Sequence, residues 1–153
     1  MGNTERLWLK TAALFHDIGK IYGNKMHHKS ARKIIHDMPG LPFRKKERLI
    51  IAIVARYHRG KFPDMSQKDF RNLDKDARKY VLRLAALLRL ADGFCDKSCD
   101  SPEGFSLLLG RKKVAVFFKK KFHLNLDKAA RKAKLFEQVF NRKIVIDLCF
   151  TGN

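Results

Sequence analysis

Apolar residues recur at helical spacing from Leu7 to Ala91, and from Phe105 onward they fall into short alternating or β-rich runs. A chain patterned this way cannot form one repeating architecture. Its first part has to be a bundle of helices, and its last part a small sheet with a helix. The sequence therefore divides into a helical domain over 1–104 and a basic α+β segment over 105–153. The fold class is mostly α with a small C-terminal α+β appendage.

The helices have readable ends. Leu7, Leu9, Ala12, Ala13, Leu14, Phe15 and Ile18 form a nearly all-round apolar helix that stops at Gly19. Such a helix is expected at the centre of a bundle. A second helix runs from His28 to Met38 and meets Pro39-Gly40. A third runs from Phe43 or Arg44 to about His58, with Leu49, Ile50, Ile53 and Val54 inward, and is closed by Gly60 and Pro63. Met65–Asn72 holds a short helix or loop. Asp74 is a candidate cap for a long fourth helix bearing Ala77, Val81, Leu84, Ala85, Leu87, Leu88 and Ala91. Strands are expected at Phe105–Leu109, Val114–Phe118 and Phe122–Leu126. A helix follows over Asp127–Phe140, then a β-rich run over Lys143–Phe150.

Charge narrows the partners. The 153 residues carry 34 Lys+Arg against 15 Asp+Glu, a net charge of +19. Hydrophobic residues make up 45%, enough for a true core, so a disordered basic tail is excluded for the chain as a whole. The excess charge calls for a polyanion. No secretory signal or membrane-spanning run is read, and Arg6 stands where a myristoylation signal needs Ser or Thr. Cys95, Cys99 and Cys149 read as reduced cysteines of a cytoplasmic protein rather than as staples.

The chemistry gathers at helix ends. His16-Asp17 closes the first apolar helix, His27-His28 opens the second, His58 closes the third and Asp92 closes the fourth. A carboxylate beside an imidazole in apolar surroundings needs compensation, and a divalent cation (Mg, Mn, Zn or Fe) supplies it. Helix ends in a bundle can converge, so His16, Asp17, His28, His58 and Asp92 are the candidate ligands. His36 falls mid-helix and reads as an ordinary surface or core residue.

Leu14-Phe15-His16-Asp17-Ile18-Gly19-Lys20 resembles the HD motif of metal-dependent phosphohydrolases. His27-His28-Lys29-Ser30, Leu41-Pro42, the stretch from Ile51 to Arg59 and the stretch from Leu84 to Gly93 are similar to the C-terminal HD-like region of the exopolyphosphatase/guanosine pentaphosphate phosphatase (Ppx/GppA) family. The resemblance implies an accessory module that binds polyphosphate or related phosphate polyanions, alone as a homodimer or beside an actin-like phosphatase partner chain. The actin-like domains that carry catalysis in that family are not read in these residues. The HD pattern also has a further His on an earlier helix, and no His precedes His16 here. Gly93-Phe94-Cys95-Asp96-Lys97-Ser98 departs from the family's loop after Asp92.

Three functions follow. As a polyanion binder, the chain would use Lys25, Lys29, Arg32, Arg44, Lys45, Lys46, Arg56, Arg59, Lys61 and the tail clusters Arg111–Lys113 and Lys119, Lys120, Lys121, through counterion release. As a metal phosphohydrolase, Lys20, Arg56 and Arg59 would neutralise the phosphate at the catalytic centre. As an RNA binder it would need exposed aromatics, for which Phe117, Phe118 and Phe122 are candidates; a small core is the plainer use of these rings. The amphipathic Lys128–Phe140 helix reads as one packed on a sheet rather than on a membrane.

Overall fold

The computed structural model describes residues 1–94, 105–118 and 125–147. Its elements, in chain order, are α1 (Asn3–Phe15), a 3-10 turn (Ile18–Tyr22), α2 (His27–Asp37), α3 (Lys45–Arg56), α4 (Lys68–Arg71) and α5 (Lys75–Phe94). Then come β1 (Phe105–Leu109), β2 (Lys113–Phe118), α6 (Leu126–Phe140) and β3 (Lys143–Asp147). The fold is mostly helical with a small three-stranded sheet. The chain divides into two compact units, Met1–Leu88 and Arg89–Asn153, with the division falling inside α5.

In the first unit α3 is the central helix. Ile50, Ile51, Ala52, Ile53, Val54 and Ala55 are all buried, so the helix is enclosed on every side. Its N-terminus is fixed by Glu47, whose Oε2 accepts from the Arg44 backbone N–H at 2.9 Å. α2 packs against α3 and against the 3-10 turn, and α1 packs against α3.

The expectation for α1 is corrected. Only Trp8 and Ala12 are buried, while Leu7 is 51% and Leu14 76% exposed. One stripe of the helix carries its packing: Trp8 donates to Glu47 Oε1 at 3.2 Å and meets the Tyr80 ring edge-on at 5.4 Å. An apolar composition all round does not force burial all round. The neighbour must supply a surface on every side, and α3 takes the enclosed place.

α5 begins as the sequence suggests, with Asp74 Oδ1 accepting from the Ala77 N–H at 2.8 Å. Ala77, Val81, Leu84, Ala85 and Leu88 are buried, whereas Leu87 is half-buried and Ala91 is exposed.

In the second unit the sheet order is β1-β2-β3. β1 and β2 form an antiparallel hairpin pairing Phe105 with Phe118. β2 and β3 run parallel, pairing Val114 with Ile144, with α6 as the crossover that a parallel pair requires. Val114, Val116 and Phe118 on one face of β2 are buried, as are Ala129, Ala133, Leu135 and Phe136 of α6.

The strand expected over Phe122–Leu126 is corrected at its end. Leu126 is the first residue of α6, because Asn125 Oδ1 caps the helix by accepting from the Lys128 N–H at 2.8 Å. Residues 122–124 and the three cysteines lie outside the described residues. Among the described residues, no helix is long and apolar enough to cross a membrane.

The central place of α3 sets a stability contrast. Ile53→Ala removes a fully buried side chain and is expected to cost about 2–5 kcal/mol. Leu14→Ala on exposed α1 is expected to cost less than about 1 kcal/mol. Urea unfolding of the two variants checks this, and similar losses would contradict the assignment of α3 as the core helix.

Candidate metal and phosphate site

The site begins with a glycine. A Cβ at Gly19 would sit 2.6 Å from the Ala31 nitrogen and closer still to the His27 carbonyl oxygen. Only a residue without a side chain lets the 3-10 turn lie directly on the first turns of α2. That contact brings Asp17, the residue just before the turn, to His27, the first residue of α2. His58 follows α3, where the Tyr57 and His58 N–H groups wind the last turn back onto the Ile53, Val54 and Ala55 carbonyls.

Three imidazoles are anchored in the same way. His16 Nδ1 lies 2.6 Å from the Ala13 carbonyl, His27 Nδ1 2.9 Å from Asn24 and His58 Nδ1 2.6 Å from Ala55. A carbonyl can only accept, so His16 and His58 carry the proton on Nδ1 and a lone pair on Nε2; His27 Nδ1 faces both a carbonyl and the donor-only Arg59 guanidinium, so its contacts allow either tautomer. The three Nε2 atoms converge. His27 Nε2 is 3.1 Å from His58 Nε2. Asp17 Oδ1 lies 3.0 Å from His27 Nε2 and 3.7 Å from His58 Nε2. His16 Nε2 is 3.4 Å from Asp17 Oδ2. The ligand atoms of His16, Asp17 and His58 all fall within 4.8 Å of one another.

Two unprotonated nitrogens at 3.1 Å repel each other unless a positive centre sits close to both. That centre is a proton on one ring or a metal ion. The backbone-held Nδ1–H is also how metal-ligating imidazoles are usually oriented. The donor set of imidazole nitrogens with one carboxylate fits a divalent first-row ion. Burial pushes the Asp17 carboxyl up, but the hydrogen bond from Lys20 and the charges of His16, Lys20 and His58 together outweigh it and hold the group below its usual range.

Beside this cluster lies a cavity of about 400 Å³ lined by His28, Lys29, Arg56, Arg59 and Lys61, among others. Arg59 Nη1 is 3.4 Å from His27 Nδ1, which places a guanidinium where the cavity borders the cluster. Arg56 lies 5.4 Å over the Tyr57 ring, and its Nε is 3.3 Å from Asp69 Oδ2. Asp69 also holds Arg32 at 2.8 Å. Among the described residues, no carboxylate lines the cavity itself. Burial, then the charges of Arg56 and Arg59, push the His28 imidazole down to about 4. Its Nδ1 is buried with no hydrogen-bond partner.

The family model for Ppx/GppA phosphatase, domain III, matches residues 2–128. The chain belongs to the Ppx/GppA phosphatase family. No curated protein matches it.

Within this Ppx/GppA domain III, the residues singled out by sequence separate into groups. His16, Asp17 and His58 come together. His28 faces the basic cavity, its ring 6.5 Å from that of His58, and His27 takes the inward place. Adjacent residues at the start of a helix point about 100° apart, so only one of the pair can face the cluster. The His27-His28 doublet was the available signal, but it does not say which.

Lys20 pairs with Asp17 rather than facing the cavity. Lys29, Arg56, Arg59 and Lys61 line it. Lys46 is 2.7 Å from Asp74, Arg44 is the N-cap of α3, Lys45 is its first residue, and Lys25 is exposed in the turn before α2. Asp92 belongs to the second unit, where its carboxylate pairs with Lys132. Lys119, Lys120 and Lys121 lie outside the described residues.

Gly19→Ala is expected to force the 3-10 turn off α2, lowering thermal stability and separating Asp17 from His27. Ala at the exposed Gly40 (φ 77°), where no atom lies within 4 Å of a Cβ, is the comparison. It should show only the cost of backbone strain, roughly 1–2 kcal/mol. Equal melting temperatures for the two variants would contradict the close approach at Gly19.

Proposed function

We propose that this Ppx/GppA domain III binds phosphate polyanions, with inorganic polyphosphate as the ligand class, in the basic cavity beside the His/Asp cluster. One observation carries this reading: Lys29, Arg56, Arg59 and Lys61 line one cavity whose described lining holds no carboxylate, Asp69 reaching Arg56 from outside it. A phosphate chain entering it would exchange condensed counterions for fixed cations, and the released ions would drive binding. Arg56 is pre-oriented by Asp69 and Tyr57, so less side-chain freedom is lost when it meets a phosphate. The reading includes a cytoplasmic setting and a partner that completes catalysis, either an actin-like phosphatase chain or a second copy.

The convergence of Nε2 atoms on Asp17 favours a second reading, an HD-type metal-dependent phosphohydrolase acting on a nucleotide or phosphate ester. His16, Asp17, His27 and His58 would hold the ion. A divalent ion bound there supplies Lewis acidity toward a phosphoryl oxygen. The chain's own part would be orientation: Arg56 and Arg59 would fix the phosphate, and the three backbone-anchored rings would keep their lone pairs inward.

Two measurements separate the readings. Polyphosphate affinity is expected to fall steeply with added salt, and Arg59→Glu with Lys61→Glu should weaken it by about tenfold or more. A flat salt response would contradict polyanion binding. For the second reading, reconstitution with Mn²⁺ or Zn²⁺ should leave a bound ion in the purified protein, and His58→Ala should abolish it. Retention of metal by His58→Ala would place the ion elsewhere.

A further inference from the structure

β1 is an edge of its sheet. The order β1-β2-β3 leaves its outer side without a strand among the described residues. Leu107, Leu108 and Leu109 stand in a row at 55%, 64% and 69% exposed. The strand carries no charge, whereas the opposite edge, β3, carries Lys143 and Asp147. Charged side chains are a common guard against edge-to-edge pairing, and β1 lacks that guard.

The hairpin fixes which way each backbone group of β1 points. The Gly110 N–H donates to the Lys113 carbonyl at 2.8 Å, so these two residues are a hydrogen-bonded pair. Bonded and non-bonded pairs alternate along an antiparallel ladder. Leu108 with Ala115 and Ser106 with Phe117 are therefore bonded pairs too. Phe105, Leu107 and Leu109 fall between them, and their N–H and C=O groups point away from β2 to the open edge. The same three residues share one sheet face, because they lie opposite Phe118, Val116 and Val114, all buried. The Phe105 ring reaches that of Phe118 at 6.2 Å. The cover over this face stops short of Leu107 and Leu109. Unused backbone groups and uncovered apolar side chains thus belong to the same residues.

We propose that β1 is a self-association edge, through which two copies of this chain pair antiparallel about a two-fold axis at Leu107. In that register Leu107 faces Leu107 of the second copy, and Phe105 faces its Leu109. Every outward N–H then meets an outward C=O, and the exposed side chains meet across the seam. A two-fold interface uses the same patch on both copies, and β1 meets itself with no group left over. Charge selects the same arrangement. The net charge of +19 opposes association wherever basic surfaces would meet. Antiparallel pairing sends the two basic turns at Arg111 and Lys112 to opposite ends of the seam. They stand about 27 Å apart at roughly 3.4 Å per residue, well beyond a Debye length of about 8 Å. Parallel pairing would set them side by side.

This dimer rests on the proposed function only in taking up its second-copy partner. Association is read without polyphosphate, so its failure and that of polyanion binding are separate results. Sedimentation equilibrium of the full chain should show monomer and dimer in exchange. Leu107→Lys sets two like charges opposite each other on the axis and should raise the dimer Kd about tenfold or more. Leu14→Lys makes the same charge change at an exposed leucine of α1 and should leave the Kd nearly unchanged. A chain that stays monomeric up to about 1 mM, or an effect of Leu14→Lys that equals or exceeds that of Leu107→Lys, would overturn the proposal.

Amide hydrogen exchange on the unaltered chain covers the case in which Leu107→Lys does not fold. Dilution should speed exchange at Phe105, Leu107 and Leu109 and leave Ser106 and Leu108, which are bonded to β2, unchanged. Exchange at the three outward amides that does not depend on concentration would equally overturn it.

Discussion

The approach of Gly19 to α2 is the contact on which the site depends. The 3-10 turn can lie on His27 and Ala31 only because no Cβ intervenes. That places Asp17 within 3.0 Å of His27 Nε2. The three backbone carbonyls of Ala13, Asn24 and Ala55 then fix the ring orientation of His16, His27 and His58. Neither device alone would suffice. Without the close turn the carboxylate would stand away from the imidazoles, and without the carbonyls the rings could turn their N–H groups inward and satisfy one another.

The positive charge is distributed by a second rule. Carboxylates of the first unit are committed to particular cations: Asp17 to Lys20, Asp69 to Arg32 and Arg56, Asp74 to Lys46. In the second unit Asp92 is committed to Lys132 and Glu137 to Lys143. With 15 acidic residues against 34 basic ones, the cations left over outnumber those that are paired. Local packing decides where the remainder collects. Part of it lines the cavity beside the imidazole cluster in the first unit, and part lines a cavity at the end of α6 in the second.

Much of this was legible in the chain. The change of period placed the helices before the sheet, Asp74 announced α5, and the runs from Phe105 and Lys143 announced β1 and β3. Asn125 was a cap that the alternating run Phe122–Leu126 concealed, because a strand pattern and a helix start can share the same residues. α1 misled for a related reason. Its apolar residues fill the helix surface, yet burial depends on how many neighbours reach it, and only Trp8 and Ala12 meet one.

By itself the sequence determined the element types, the family motifs and the list of residues able to bind metal or phosphate, since these follow from side-chain chemistry and local periodicity. Tertiary structure decided which members of that list meet. His27 rather than His28 faces Asp17, Lys20 is spent on Asp17, and Arg56 and Arg59 share a cavity with Lys61. Those outcomes depend on the rotation of each helix about its axis and on the depth to which the Gly19 turn settles on α2. Both are set by contacts between residues far apart in the chain, which local pattern does not encode.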